Sequence, residues 1–406
     1  MPKRKNVLRI GIDLSPLRHS AHRGIGAYAR SLLAALGRVG GQHQYVLFVP
    51  QGLKVGEVPA PPKYEMRRVP MPRLGRASAL VYSQLLLPLH VGRAGVDLLH
   101  FLDVPFNPSH PLAPIYKPVP VVITLHDLTP LYAPAVLRKR RYRWFYRLAL
   151  WQCTRADALV VDSHSSRADA LKARIAEARR IFVAPLAVPA EAAHSDSDSS
   201  SGSGSGSGFG LPDLPRPYIL HVGSDDWNKN RQAVLRAFTM LVETETVTGV
   251  GAVGAGSHLH LVLVGGSTAS LSALPDEVRT RIVHHAYLDR QALTRLYAGA
   301  RVFVFPSRYE GFGLPILEAM QAGVPVVTSN TGAMREVAGD AALLVDPDRP
   351  QELAAAVRRV LSDASLACEL RERGRARAAT FTWERTAHAT LAAYKFAVAA
   401  DRPTRR

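Results

Sequence analysis

The chain has 406 residues, 47% hydrophobic and 21% charged, the balance of a globular protein with room for two or three domains. Its two cysteines, Cys153 and Cys368, lie far apart; they exclude a disulfide framework and a cysteine-built metal site, and point to reduced, cytosolic thiols. A net charge of +18 asks for an anionic partner (nucleic acid, a membrane surface or a phosphate-bearing substrate) unless arginine-rich codon usage is its source.

The basic residues 1–5 lead into a segment interrupted by Arg9 and Asp13, so no signal peptide is expected. Residues 8–13 form the first predicted strand. The turn Gly24-Ile-Gly26-Ala-Tyr28 follows, then a helix over 28–36 with apolar residues at 28, 32, 33 and 36. Short apolar runs at 45–49, 96–101, 120–125, 158–161 and 181–184, separated by helical or proline-rich stretches, continue the alternation of a doubly wound parallel sheet. Residues 137–151 mix six basic residues with five aromatics. Three readings fit that run: a helix packing its aromatics inward, a helix lying on an anionic bilayer through Trp144, Phe145 and Trp151, or a nucleic-acid contact.

The Ser/Gly-rich stretch 191–212 cannot bury apolar area and reads as a flexible linker or insert, dividing a domain over 1–190 from one over 213–382. A second αβ series has strands at 217–223, 259–264, 282–284, 302–305, 324–328 and 342–345. The uncharged stretch 246–275 carries glycine at almost every second place between 249 and 256. It reads as a loop entering a strand, and no membrane span is expected. A last helix over 383–398 sets Trp383, Ala387, Leu391, Tyr394 and Val398 on one face.

The strand 302–305 runs into Glu310-Gly311-Phe312-Gly313-Leu314 and a helix over 314–322, with Pro315 in its first turn and Gly323 at its end. Strand, glycine loop and helix N-terminus in that order present bare N–H groups, equivalent to roughly half a positive charge, to an anion. Glu310 in the loop and Glu318 in the helix flank that point. Carboxylates accept from both hydroxyls of a vicinal diol, so the group suits a phosphate carrying hydroxyl-rich sugars. Lys229 lies between the strand 217–223 and a helix over 232–241, where open α/β sheets bind ligands; a diphosphate contact and a solvated surface lysine both fit it. His126 and Asp127 end the strand 120–125 as either a ligand contact or a capping pair.

These segments resemble the retaining glycosyltransferases of GT-B fold, family 4. The frame from Glu310 to Glu318 matches the family's Glu-x7-Glu motif in its glycines, proline and both acids. Lys229-Asn230 matches the end of a Val-Gly…Arg-Lys-Asn segment, His126-Asp127 the His-Asp segment, and Arg23-Gly24-Ile-Gly26-Ala-Tyr28 a glycine turn. Ser224 stands where many relatives carry arginine, which leaves Arg231 or a helix N-terminus to supply the second positive group.

The resemblance implies two Rossmann-like domains facing across a cleft, with residues 383–406 crossing back to the N-terminal one. It implies transfer of a hexose, with retention, from a nucleotide-diphosphate sugar. Glu318 is implied to hold the ribose, Lys229 the diphosphate beside Ser224, and Glu310 the donor hexose. The backbone of Gly311, Phe312, Gly313 and Leu314 would lie against sugar and phosphate. His126 would meet the sugar from the other domain, Leu288 the nucleobase, and Gly24 and Gly26 the donor phosphates or the acceptor. No metal or cofactor is expected, because fixed cations and N–H dipoles can stabilise the leaving nucleotide and no Asp-x-Asp triplet is read at any strand end; Asp196-Ser-Asp198 falls in the Ser/Gly stretch. The segments around Gly24 and His126 lean toward mannosyltransferases of surface-polysaccharide assembly. GDP-mannose is then the first donor expected and a UDP-sugar the second, with a glycan or lipid-linked acceptor, in the cytoplasm or at the inner membrane face. The rivals are a GT-B phosphorylase, a sugar-nucleotide epimerase, or a basic nucleic-acid-binding protein without turnover. Asp13-Leu-Ser-Pro-Leu replaces the glycine-rich turn of a dehydrogenase.

Overall fold

The computed structural model describes residues 7–20, 24–53, 64–104, 111–133, 140–189, 214–248 and 258–400. The Ser/Gly stretch 191–212, the glycine-rich loop 249–256, Arg23 and residues 137–139 lie outside them. The chain forms two compact units, one of Met1–Leu186 with Thr382–Arg406 and the other of Ala187–Phe381.

The first unit is built on a parallel sheet of β1 (Arg9–Asp13), β2 (Gln44–Pro50), β3 (Tyr64–Val69), β4 (Leu98–Phe101), β5 (Val121–Leu125), β6 (Ala158–Val161) and β7 (Ile181–Val183). Its strand order is β3-β2-β1-β4-β5-β6-β7. β4, β5 and β6 are buried at every residue, as strands covered on both faces must be. β3 escapes sequence reading because it is an edge strand. Only Tyr64 and Val69 are buried, while Glu65 pairs with Arg67 at 2.6 Å and with Arg9 on the solvent side.

The helix after β1 runs from Gly24 to Val39, so Gly24 and Gly26 are its first turn and not a turn ahead of it. Neither takes a positive φ, and Gly26 and Ala27 are buried in that first turn. The helix Trp383–Ala400 packs within this unit, burying Trp383, Ala387, Leu391 and Tyr394. The Tyr394 hydroxyl meets His100 Nδ1 at 2.7 Å, and Arg38 meets Glu384 at 2.7 Å.

The helix Arg140–Arg155 sorts its aromatics by face. Phe145 and Tyr146 are buried, whereas Trp144 is 66% and Trp151 41% exposed. Phe145 is therefore no interfacial anchor. Positions 145 and 149 lie on the buried side, and 144 and 151, a heptad apart, on the exposed side.

The second unit has β8 (Tyr218–Val222), β9 (His260–Val264), β10 (Ile282–His285), β11 (Val302–Phe305), β12 (Val326–Ser329) and β13 (Leu343–Val345), all parallel in the order β10-β9-β8-β11-β12-β13. Ile219, Leu261, Leu263, Val302, Val304 and Val327 join Phe238 and Leu241 of the helix Arg231–Thr248, and Leu353 and Val357 of the helix Pro350–Ser362, in one core. Strand order reverses between β8 and β11. In an open parallel sheet the crevice outside that switch point receives ligands.

Candidate active site

The loops leaving β8 and β11 meet at that switch point. β8 is followed by a 3-10 turn, Trp227–Lys229, and by Asn230 in the left-handed region at φ 52°. Asn230 Nδ2 donates to Pro306 O at 3.0 Å and Pro347 O at 2.6 Å, tying the β8 loop to the loops after β11 and β13. Arg308 N donates to Asn228 O at 2.8 Å, and Asn228 Nδ2 to Tyr309 O at 3.2 Å. Held this way, Lys229 Nζ lies 2.9 Å from both carboxylate oxygens of Glu310 and 5.4 Å from the centre of the Phe305 ring. Lys229 and Glu310, expected to grip different parts of a donor, are each other's partners.

Beyond Glu310 the chain turns through Gly313 at φ 104°, a conformation strained for any residue with a Cβ, and enters the helix Leu314–Gln321. No side chain caps that helix and no acid lies in its first turn, so its positive end is open. Gly311 and Phe312 are buried, Phe312 edge-on to Phe381 at 5.7 Å, which leaves its backbone as the group able to touch a ligand. One turn on, Glu318 accepts from the Tyr297 hydroxyl at 3.0 Å, and Arg290 Nη1 stands 3.6 Å from its other oxygen. Burial pushes the Glu318 carboxyl above the usual carboxylate range, and Arg290 and Tyr297 pull it back. Leu288 is half-buried in the loop between β10 and the helix Arg290–Gly299.

Arg231, the residue expected to stand in for the cation missing at Ser224, is buried with part of its guanidinium committed to protein. It is 4% exposed, and its Nη1 is spent on Asp225 at 2.8 Å and Gly265 O at 3.0 Å. Ser224 donates to Asp226 at 2.6 Å. A further Asp-x-Asp triplet, Asp346-Pro-Asp348, passed over in the sequence, follows β13; its carboxylates pair with Arg349 at 3.5 Å and Arg308 at 2.8 Å. Among the described residues no three metal-ligating side chains converge.

In the first unit His126 follows β5, between the ends of β4 and β6. Its Nδ1 meets Asp162 Oδ2 at 2.8 Å and its Nε2 meets Leu102 O at 3.0 Å. Burial pulls the imidazole's pKa down, but Asp162, and Asp103 beyond it, outweigh that and hold it at about 9. His126 is thus an imidazolium donating from both nitrogens into protein. It has charge and a ring edge to offer a ligand, and no spare N–H. Asp127 caps the next turn by accepting from Thr129 N at 2.9 Å. Asp162 was invisible in the sequence, because only the β5–β6 pairing brings it to His126.

Two all-parallel α/β units of this topology are the GT-B glycosyltransferase fold. Sucrose-phosphate synthase from Thermosynechococcus elongatus superposes with a TM-score of 0.69 at 21% identity, covering 97% of this chain and 100% of that one. The family model "Glycosyltransferase Family 4" matches residues 22–192 and "Glycosyl transferases group 1" residues 210–377. O-antigen chain mannosyltransferase B of Escherichia coli is 31% identical over 286 residues, 68% of this chain and 70% of that one. The serotype-specific mannosyltransferase WbdA of Escherichia coli is 28% identical over 283 residues, 68% of this chain and 33% of that one. The chain belongs to the family 4, group 1 glycosyltransferases, and is a glycosyltransferase.

Proposed function

We propose that the protein transfers a hexose, mannose first, from a nucleotide-diphosphate sugar to a glycan or lipid-linked acceptor of surface-polysaccharide assembly, with retention at the anomeric carbon. The observation that carries this is the second unit's switch point. There a fixed lysine–glutamate pair, an uncapped helix end and a second buried carboxylate follow one another along two adjacent strand ends. The similarity to two mannosyltransferases supports the sugar. GDP-mannose is the first donor to try, and a UDP-sugar the second.

In this reading Lys229 and the N–H groups of Gly313 and Leu314 take the negative charge that builds on the diphosphate as the bond from C1 to oxygen loosens. They do so as pre-set dipoles and charge, without a resident metal or cofactor. Glu310 faces the hexose and steadies positive charge at C1, and Glu318 takes the ribose diol. His126 presents a fixed positive charge to the sugar, while Gly24 and Gly26 and the backbone near Leu288 serve acceptor or phosphate and nucleobase. We place the reaction in the cytoplasm at the inner membrane face, with the exposed Trp144 and Trp151 touching anionic lipid. No helix among the described residues is long and apolar enough to cross a membrane.

The test is a thermal-shift screen across UDP-, GDP-, ADP- and dTDP-sugars, followed by transfer from the binding donor with the product's anomeric configuration read by NMR. Stabilisation by GDP-mannose and an α-linked product are expected. A protein stabilised by none of the four, or by nucleic acid alone, would sink the proposal.

A further inference from the structure

Glu318 sits on an inner helix, only 12% of its side chain exposed, with its two oxygens divided between two partners from one element. The Tyr297 hydroxyl donates to Oε2, and the Arg290 guanidinium stands against Oε1. Both partners belong to the helix Arg290–Gly299, which Asp289 caps by accepting from Ala292 N at 2.7 Å. Tyr297 is itself 3% exposed and lies edge-on to Phe303 of β11 at 5.3 Å, so its ring cannot swing away. Arg290 is about a third exposed, and its guanidinium lies at the mouth of the group.

A diol-binding carboxylate has two needs. It must stay ionised so that both oxygens keep an acceptor lone pair for the ligand, because a protonated carboxyl becomes a donor on one side. It must also be held in one rotamer, since a diol satisfies both oxygens only when they are presented edge-on. A buried, unsupported glutamate meets neither condition. A donor on Oε2 and a cation 3.6 Å from Oε1, both from a single helix, meet both, and leave lone pairs on each oxygen.

We propose that Tyr297 and Arg290 are positioning residues that fix Glu318 for a vicinal diol. Tyr297 sets the rotamer through Oε2, and Arg290 keeps the carboxylate charged through Oε1. The proposal rests on the reading that Glu318 takes the ribose of the donor nucleotide. On that reading the chain's discrimination between ribo- and deoxyribonucleotides is set partly by a tyrosine that never touches the ligand.

The experiment is calorimetric titration of the full chain with UDP and GDP, each against its 2′-deoxy and 2′,3′-dideoxy forms, for the wild type, Tyr297→Phe and Arg290→Ala. The wild type is expected to bind the ribo form about tenfold or more tighter than the dideoxy form, the scale of hydrogen bonds to a charged group. Tyr297→Phe keeps the ring against Phe303 and is expected to shrink that ratio to about threefold or less while dideoxy affinity holds, because only the diol's partner has lost its fixed position. Arg290→Ala should shrink it likewise, and Arg290→Lys should restore part of it. A wild type that does not distinguish the sugars overturns the ribose reading of Glu318. A wild type that does, with both variants keeping the full ratio, overturns the positioning role alone. Equal loss of ribo and dideoxy binding in both variants also overturns it, since that is general damage to the fold.

Discussion

Lys229 and Glu310 neutralise each other across 2.9 Å, and neither is more than a quarter exposed. On the proposed reading of Lys229, an incoming diphosphate competes with the Glu310 carboxylate for the ammonium. Removing the carboxylate's charge therefore has opposite effects on binding and on transfer. Glu310→Gln is expected to tighten binding of the free nucleoside diphosphate by about 3–10-fold, since a partly buried counter-ion no longer has to be displaced. The same variant should slow hexose transfer by about 10²–10³-fold, the scale of losing one pre-set charge in an active site. Calorimetry and a transfer assay check this; weaker binding of the diphosphate by the variant would contradict it.

His126 carries a second prediction. Its folded pKa is raised from 6.5 to about 9, mainly by Asp162 working against burial. A raised folded value means the charged imidazole stabilises the fold fully below pH 6.5, and that this contribution is lost as pH climbs through 9. Asp162→Asn leaves burial as the dominant influence, so the imidazole should titrate below its ordinary value. The fall in melting temperature between pH 6.5 and 9 should flatten in that variant. NMR of the His126 ring alongside the melts tests the assignment, and an unchanged ring titration would remove Asp162 from it.

Among the elements, the helix Leu314–Gln321 depends on how the chain enters it. Gly313 takes φ 104°, and a Cβ there would come 3.2 Å from the Ile316 Cδ1 atom. Gly313→Ala should cost about 1–2 kcal/mol of stability from backbone strain. It should lower transfer further by tilting the N–H groups away from the phosphate; denaturant unfolding and kinetics would separate the two. The helix Trp383–Ala400 is anchored differently. Tyr394 reaches a neutral His100, whose pKa burial and the nearby charge of His126 push down to about 3, and His100 Nε2 passes the contact on to Thr124 Oγ1 at 2.8 Å. Tyr394→Phe keeps the ring but orphans a buried imidazole nitrogen, at a cost of about 1–3 kcal/mol in denaturant unfolding. A loss near zero would mean the helix is held by its apolar face alone.

Elements also divide by how far they can be read from residues. β6 and β11 are visible as unbroken apolar runs, and β4 and β5 as apolar runs that carry only His100 and Thr124, because both of their faces are covered. β3 is not, because only its end residues are buried and the rest is Glu65, Met66, Arg67 and Arg68. The start of the helix Gly24–Val39 was misplaced by four residues, since glycines at a helix start look like a turn.

For the whole molecule, a small part of the charge of +18 falls on the helix Arg140–Arg155. Trp144 and Trp151 project from it beside the exposed Arg140, Arg143 and Arg147. Interfacial aromatics with basic neighbours bind anionic bilayers through roughly 1 kcal/mol per basic residue, screened by salt. The chain is expected to sediment with phosphatidylserine-containing vesicles at low ionic strength and to release from them in high salt. Replacing both tryptophans by alanine should weaken that binding by about tenfold. Equal binding to neutral vesicles, or none to either, would leave the charge without this role.

The layout of the second unit's loops is legible in the sequence because it is local. A strand, a glycine turn and an uncapped helix lie within 20 residues, and the acids at 310 and 318 fall on that frame whatever surrounds it. The order of the strands is not local. Only tertiary structure sets β8 beside β11, and so brings Lys229 onto Glu310 across 81 positions of chain, or sets β5 beside β6 and brings Asp162 onto His126. Tyr297 and Arg290 belong with these: a residue that holds a carboxylate such as Glu318 from behind carries no pattern of its own until the helices are packed.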